Sequence, residues 1–174
     1  MAKKLSREQE QKKKAEQRRK DQAQALGKAW LLPLQRCTVS QAWYDTRDNI
    51  HLVHVSIARQ LDDRILFGSF LIDLCGRGIK DAFIMMFPSA AAANAVFERP
   101  GAPVPVDVPY DFAAAVIQAG LRIGEIARVP PCADFLKGVH LLEPDFRERN
   151  YGLTIDLGGS GGLPLIRPDM PDEV

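Results

Sequence analysis

Two apolar, β-branched stretches separated by a short polar turn constrain the fold of this chain most strongly. Residues 50–59 and 64–74 are rich in Val, Ile, Leu and Phe, and residues 60–63 between them read Gln-Leu-Asp-Asp. Stretches of this length and composition, joined by such a turn, predict a β-hairpin. Both stretches have apolar residues at odd and at even positions, so we expect the sheet to be covered on both faces.

The segment after the hairpin continues the strand pattern and then changes to a helical one. Residues 79–87 predict a third strand, and Ser89 is a suitable N-cap for an Ala-rich helix that ends near residue 98. Residues 99–108 contain three prolines and one glycine, which predicts a loop.

A longer helix is predicted over residues 109–127. Its apolar residues recur at helical spacing, at Phe112, Val116, Ala119, Ile123 and Ala127. Within this helix Gly120 and Gly124 are four residues apart, a spacing that allows another backbone to approach closely. Two prolines follow at 130 and 131 and end the helix, and a shorter helix is expected over residues 132–142.

The C-terminal part predicts a second hairpin. Residues 151–156 and 163–166 have strand composition and flank the glycine-rich stretch 158–162. This stretch lacks the Lys-Ser/Thr ending and the following helix of a phosphate-binding P-loop, so a hairpin tip is the better interpretation. Ser160 has glycine neighbours but lacks the strand-to-helix setting of a nucleophile elbow.

Together these elements predict an α/β fold of the α+β kind. We expect a small mixed or antiparallel sheet with packed helices and a protruding basic N-terminal helix. The 174 residues, 46% of them apolar, suit one core and a tail. The predicted organisation is a basic helical arm at residues 1–28, a single α/β domain at 29–167 and a loose C-terminal tail at 168–174.

Residues 1–28, which we call the basic arm, separate the charge of the chain into two parts. The arm contains ten Lys/Arg and four Asp/Glu, whereas residues 29–174 contain thirteen and eighteen, so a net charge of +6 stands against −5. Residues 6–28 predict a helix, which begins with a capping box formed by Ser6 and Gln9. The first turns of this helix are polar all round, so no face is available to pack on a core.

The basic arm predicts a negatively charged partner, most simply RNA or the ribosome. The candidate nucleic-acid-binding residues are Lys3, Lys4, Arg7, Lys12, Lys13, Lys14, Arg18, Arg19 and Lys20. The arm contains no aromatic residue, so base stacking and sequence readout are not expected from it. Two alternatives remain open: a solubilising charged helix, and an adaptor whose arm binds an acidic surface in a protein assembly.

The same sequence bears on the compartment. No apolar stretch approaches the roughly 20 residues of a membrane span, and the N-terminus is charged where a secretory signal is apolar, so we expect a cytoplasmic protein without a membrane partner. Cys37, Cys75 and Cys132 are odd in number and widely spaced, which is typical of reduced thiols.

Asp73, Lys80 and Asp81 are the candidate catalytic residues of an alternative hypothesis. A carboxylate at the end of a strand, followed by a glycine turn and a Lys-Asp pair, suits a hydrolase that acts on a phosphoester or a nucleic acid. The competing interpretation is structural: Asp73 caps the turn at residues 76–78, and Lys80 pairs with an acid. This spacing matches no defined catalytic motif, and the structural interpretation is favoured.

No metal site and no cofactor are predicted. His51 and His54 are three residues apart on a strand, so their side chains point to opposite faces and cannot grip one ion. His140 stands alone on a short predicted helix, and no two cysteines have the spacing of a zinc half-site.

Four sequence pieces carry a resemblance to known proteins. They are Phe67-Gly-Ser-Phe-Leu-Ile-Asp73, Gly78-Ile-Lys-Asp-Ala-Phe83, Ala113-Ala-Ala-Val-Ile-Gln-Ala-Gly-Leu-Arg-Ile-Gly124 and Pro131-Cys-Ala-Asp-Phe135. The set resembles an uncharacterised family of bacterial cytosolic proteins over residues 25–167. The resemblance implies a strand that ends in Asp, a Gly-x-Lys-Asp-Ala turn, a helix pair with a Pro-x-x-Asp-Phe junction and a cytosolic location. It implies no activity, and Cys132 stands where the family leads us to expect His.

Overall fold

The structure is a computed structural model that describes Lys13, residues 27–41 and residues 52–153. Most of the predicted helix 6–28, all but the first three residues of the predicted hairpin over 151–166, and the tail 168–174 lie outside these ranges. Tyr151, Gly152 and Leu153, where the first strand of that hairpin was predicted to begin, are not in a strand.

The described residues form one five-stranded antiparallel sheet with packed helices, which confirms the α+β prediction. In spatial order, β4 lies at one edge, followed by β3, β2, β1 and β5. The strands are β1 (Leu34–Ser40), β2 (Leu52–Leu61), β3 (Arg64–Asp73), β4 (Gly78–Phe87) and β5 (Pro105–Asp107).

The predicted hairpin is confirmed as β2 and β3. Its turn is shorter than predicted, because Gln60 and Leu61 still pair with Ile65 and Arg64. The two remaining residues make the turn, and Asp62 adopts a left-handed backbone with φ of 55°. Asp tolerates this conformation better than most residues.

Two strands were not predicted. Residues 34–40 of β1 mix polar and apolar side chains, and β5 lies within the residues 99–108 that were predicted as a loop. The three residues of β5 pair with β1 at the edge of the sheet, where Pro105 is tolerated.

The three helices predicted after residue 88 are confirmed, and the first and the third are shorter than predicted. They are α1 (Ala90–Asn94), α2 (Tyr110–Ala127) and α3 (Phe135–Gly138), with short 3₁₀ helices at Ala29–Leu31 and Val139–Leu141. The Ser89 hydroxyl accepts a hydrogen bond from the Ala92 N–H at 3.2 Å, as its N-cap role requires.

The sheet is covered on both faces, as predicted. On one face, which we call the helix face, α2 packs on a large apolar core that includes Val55, Ile57, Phe70 and Ile72. On the opposite face, which we call the α1 face, a smaller core joins α1 to residues such as Ile65, Phe67 and Phe87. Alternation along β3 therefore serves two separate cores.

Close backbone contact holds α2 against the start of β4. Gly78 has a φ of +72°, and a Cβ atom there would lie 2.4 Å from the Gly120 carbonyl oxygen and 2.7 Å from the Gly124 nitrogen. A Cβ atom at Gly120 would lie 2.5 Å from a methyl group of Ile72. The predicted packing role of Gly120 and Gly124 is confirmed.

Within the residues that the structure describes, no helix has the length and the apolar character needed to cross a bilayer.

Candidate functional site

Only one of the nine candidate nucleic-acid-binding residues of the arm is among the described residues. Lys13 has a helical backbone and an exposed side chain. The others lie outside the described ranges: Lys3, Lys4, Arg7, Lys12, Lys14, Arg18, Arg19 and Lys20. These residues are candidates because of their charge and their spacing along the chain.

The described part of the body is closer to neutral than the net charge of −5 over residues 29–174 implies. Residues 29–41 and 52–153 contain eleven Lys/Arg and twelve Asp/Glu. The remaining body residues, 42–51 and 154–174, contain two Lys/Arg and six Asp/Glu, and so supply most of the acidic excess. The described surface therefore has little net negative charge with which to attract the arm.

The carboxylate of Asp73 binds the backbone of the turn that follows β3. It accepts hydrogen bonds from the N–H groups of Cys75 at 2.9 Å, Gly76 at 3.0 Å and Arg77 at 3.3 Å. Asp73 is itself buried. These contacts match the capping role that was weighed against catalysis, because a carboxylate at this position satisfies three N–H groups of a tight turn.

Lys80 and Asp81 lie on the neighbouring strand. The register shifts between the pairs Leu71–Asp81 and Ile72–Ile79, so Lys80 is the extra residue of a β-bulge. Asp81 is exposed, and its carboxylate accepts a hydrogen bond from the Ala82 N–H at 2.8 Å. Neither cavity described below is lined by Asp73, Lys80 or Asp81.

The histidines occupy different environments. His54 is half-buried on β2, and burial lowers its pKa from the ordinary 6.5, whereas His140 is exposed. His51 lies outside the described residues. In the described part of the chain, no three His, Cys, Asp or Glu side chains come together in a way that could hold a metal ion.

No disulfide joins Cys37, Cys75 or Cys132. Cys37 and Cys75 are buried, and Cys132 is half-buried. Burial raises the pKa of Cys37 from 9.0 to about 12, and the nearby positive charge of Arg59 opposes this rise only in part. Cys37 is therefore a protonated, apolar core residue at neutral pH.

A buried arginine that the sequence analysis did not single out ties distant segments to the sheet. Arg59 is only 6% exposed. Its guanidinium donates to the Leu141 carbonyl oxygen at 3.0 Å and to the Leu32 carbonyl oxygen at 2.8 Å, and it lies over the Tyr110 ring at 5.2 Å. Both carbonyls belong to the ends of 3₁₀ helices, where unpaired C=O groups favour a cation.

Tyr110 extends this cluster on the helix face. Its hydroxyl oxygen accepts a hydrogen bond from the Glu143 N–H at 3.1 Å, and burial raises its pKa. Glu143 also forms an ion pair with Arg149. The nearby Tyr151 hydroxyl is buried without a hydrogen-bond partner among the described residues, and its pKa is raised mainly by burial.

A groove of about 280 Å³ opens where α2 ends. Its lining is largely apolar and includes Ile79, Leu121 and Val129, with Glu125, Arg128 and Arg147 as the charged members. Arg128 has a left-handed backbone, and the Val129 N–H donates to the Gly124 carbonyl oxygen at 2.8 Å, which turns the chain around the groove. The groove has room for a small apolar group but includes cations and an anion together.

A second cavity, on the α1 face, is almost filled. About 10 Å³ remains between Arg36, Thr38 and Ser56 and the side chains of α1 and Phe97. Arg36 is held there by Asp107 at 2.5 Å and the Asn94 amide oxygen at 2.9 Å, and its guanidinium lies 5.5 Å from the Phe97 ring centre. This network closes the cavity, which has space for about one water molecule at most.

Comparison of the chain with known protein families, with curated proteins and with solved structures finds no match. The resemblance described above therefore stays a prediction.

Proposed function

We propose that this protein is a non-enzymatic, cytoplasmic RNA- or ribosome-associated protein that binds phosphate groups through its basic arm. The observation that carries the proposal is the concentration of nine Lys/Arg against three Asp/Glu within residues 3–20. Each bound phosphate releases condensed counterions, so a basic segment of this kind binds nucleic acid without a shaped pocket.

The composition of the arm suits recognition of the RNA phosphate backbone and not of the RNA bases. Residues 1–28 contain no aromatic side chain on which a base could stack. Lys and Arg at these positions provide phosphate contacts, which position a protein on RNA without selecting a sequence. We therefore expect binding that tolerates changes of RNA sequence.

The folded body supports the proposal indirectly. Its described residues are almost neutral, so they compete weakly with an external polyanion for the arm. Outside the described body the chain has ten further acids, six Asp/Glu in residues 42–51 and 154–174 and four in the arm itself.

The hydrolase alternative has less support. Both oxygens of the Asp73 carboxylate accept backbone hydrogen bonds, which leaves this group less available to a metal or a substrate. Asp81 is directed to the Ala82 N–H. We therefore retain RNA binding as the proposed function.

Deletion of residues 1–22 tests the proposal. The full chain should bind RNA in a filter-binding assay and sediment with ribosomes, and the deletion should abolish both, because all nine candidate RNA-binding residues are removed. Deletion of residues 168–174 is the matched control, since it also shortens one end but removes acids, and it should not weaken binding.

Two results would reject RNA binding through the basic arm. The first is RNA or ribosome binding that is unchanged after residues 1–22 are removed, and the second is no binding by the full chain. If the full chain binds an acidic protein surface but not purified RNA, the adaptor hypothesis replaces this one.

A further inference from the structure

The two edges of the sheet differ in how they are protected. The β5 edge is three residues long and contains Pro105 and Asp107, both of which discourage further strand pairing. The β4 edge is ten residues long, and none of the described strands pairs with its outer side. Long open edges are sites where another strand adds.

The open edge is apolar along most of its length. The bulge and both charged residues of β4, Lys80 and Asp81, lie near its beginning, and residues 82–87 contain no charge. On the α1 face of this strand, Phe83 is 39% exposed and Met85 is 46% exposed. These two neighbouring apolar side chains extend from the α1-face core to the edge, where the Phe83 ring centre is 6.0 Å from that of Phe67.

We propose that β4 pairs antiparallel with β4 of a second copy of this chain, which joins two sheets into one of ten strands. The two-fold axis passes through Ile84, so that Ile84 lies opposite Ile84 of the second copy. In this register Phe83 of each copy lies opposite Met85 of the other, and the side chains of directly opposite residues share a face. The two exposed apolar residues thereby cover each other.

In a pair formed by two copies of β4, the positions of the charged and exposed residues favour the register centred on Ile84. In the register centred on Ile84, Asp81 lies opposite Phe87, and the two Asp81 residues are about 20 Å apart because each strand rises about 3.4 Å per residue. A register centred on Phe83 would instead place the exposed side chain of Met85 opposite the charged Asp81, whereas the Phe87 that faces Asp81 in the register centred on Ile84 is already buried. A register centred on Met85 would place Phe83 opposite Phe87, which is already buried beneath α1.

A two-fold interface requires such self-complementarity, because each contact occurs twice: Phe83 of one copy packs on Met85 of the other, and Met85 of the first copy packs on Phe83 of the second. The proposal is independent of RNA binding, since β4 lies in the folded body and contains none of the candidate RNA-binding residues.

Paired charge substitutions test both the dimer and its register. The full chain should sediment at twice the 19.3 kDa of one chain. Phe83→Lys with Met85→Lys places like charges opposite each other twice and should yield a monomer. Phe83→Lys with Met85→Glu places opposite charges together twice and should restore the dimer, which a merely structural effect of losing Phe83 would not do.

Matched controls separate dimer loss from a general effect of added charge. Val104→Lys with Ile126→Lys introduces the same charge at exposed apolar positions outside β4, and this variant should remain a dimer. Circular dichroism should show the same folded state in all variants.

Three results would overturn the proposal. The first is a full chain that stays monomeric at protein concentrations up to about 0.1 mM. A dimer that survives in the like-charge variant assigns the interface elsewhere. A protein that dimerises only when residues 154–174 have been removed would show that this segment of the same chain occupies the β4 edge.

Discussion

At the scale of single residues, the absence of a side chain decides how α2 meets the sheet. Gly78 lies so close to the Gly120 carbonyl and the Gly124 nitrogen that a Cβ atom at residue 78 would overlap both. The contact lies beside the groove at the end of α2, so the shape of that groove also depends on it. Phe70 is similarly close to Gly138 of α3, where a Cβ atom would lie 2.6 Å from its ring.

Gly78→Ala should destabilise the protein by about 2–5 kcal/mol, because a left-handed backbone strains alanine and the new methyl group overlaps the α2 backbone. Gly101→Ala is the matched control, since Gly101 has a φ of +80° but nothing within 4 Å of the added carbon. It should cost only about 1–2 kcal/mol. Urea unfolding of both variants measures the difference, and equal losses would mean that the close contact contributes nothing.

His54 should make stability dependent on pH. Because burial lowers its pKa below 6.5 in the folded state, the unfolded chain binds the proton more readily. The contribution of neutral His54 is complete above pH 6.5 and is lost as the pH falls from there through the folded-state pKa. Free energies of unfolding measured from about pH 7.5 to about pH 5.5 should decrease, less so in His54→Gln. His140→Gln, at an exposed site, should behave as the wild type; a response equal to that of His54→Gln would contradict this.

At the scale of secondary-structure elements, long periodic segments were predictable and short ones were not. The β2–β3 hairpin and α2 each bury a face that repeats over ten or more residues, so their patterns are strong. By contrast, β1 has a mixed pattern and β5 has three residues. Their pairing depends on tertiary neighbours, which local sequence does not encode.

The candidate sites were predictable to different degrees. The capping alternative for Asp73 followed from its place before a glycine turn. Arg59 continues the inward alternation of Val53, Val55 and Ile57, so its burial could have been inferred from that pattern. Its acceptors, Leu32 and Leu141, are distant in sequence, and only the fold brings them together.

Arg59→Met should cost about 2–4 kcal/mol, because the carbonyl oxygens of Leu32 and Leu141 lose a charged donor in a buried place. The stability of Arg59→Lys should fall between that of the wild type and that of Arg59→Met, since a single ammonium group does not reproduce the planar fork of arginine. Arg64→Met, at an exposed position at the start of β3, is the control and should change stability by no more than about 0.5 kcal/mol. Thermal unfolding of the three variants decides; an Arg59→Met protein as stable as the control would contradict the proposed role.

At the scale of the whole molecule, the charge of the chain is separated along the sequence and not across the described fold. The basic arm has a net charge of +6, whereas the described body has eleven Lys/Arg and twelve Asp/Glu. Charge of one sign concentrated in one segment raises the local concentration of a polyanion around that segment. RNA binding through the arm depends on this separation, and the number of phosphate contacts can be measured from the response of the affinity to salt.

The most direct test compares how RNA affinity falls with salt in three proteins. In a plot of log affinity against log salt, replacing Lys12, Lys13 and Lys14 with Gln should reduce the slope by about 2, since each contact to a single strand contributes about 0.7. Replacing the exposed Arg64, Arg99 and Arg122 with Gln removes the same charge from the body and should leave the slope of the wild type unchanged. Equal slopes in the two variants would contradict the claim that the arm meets phosphate.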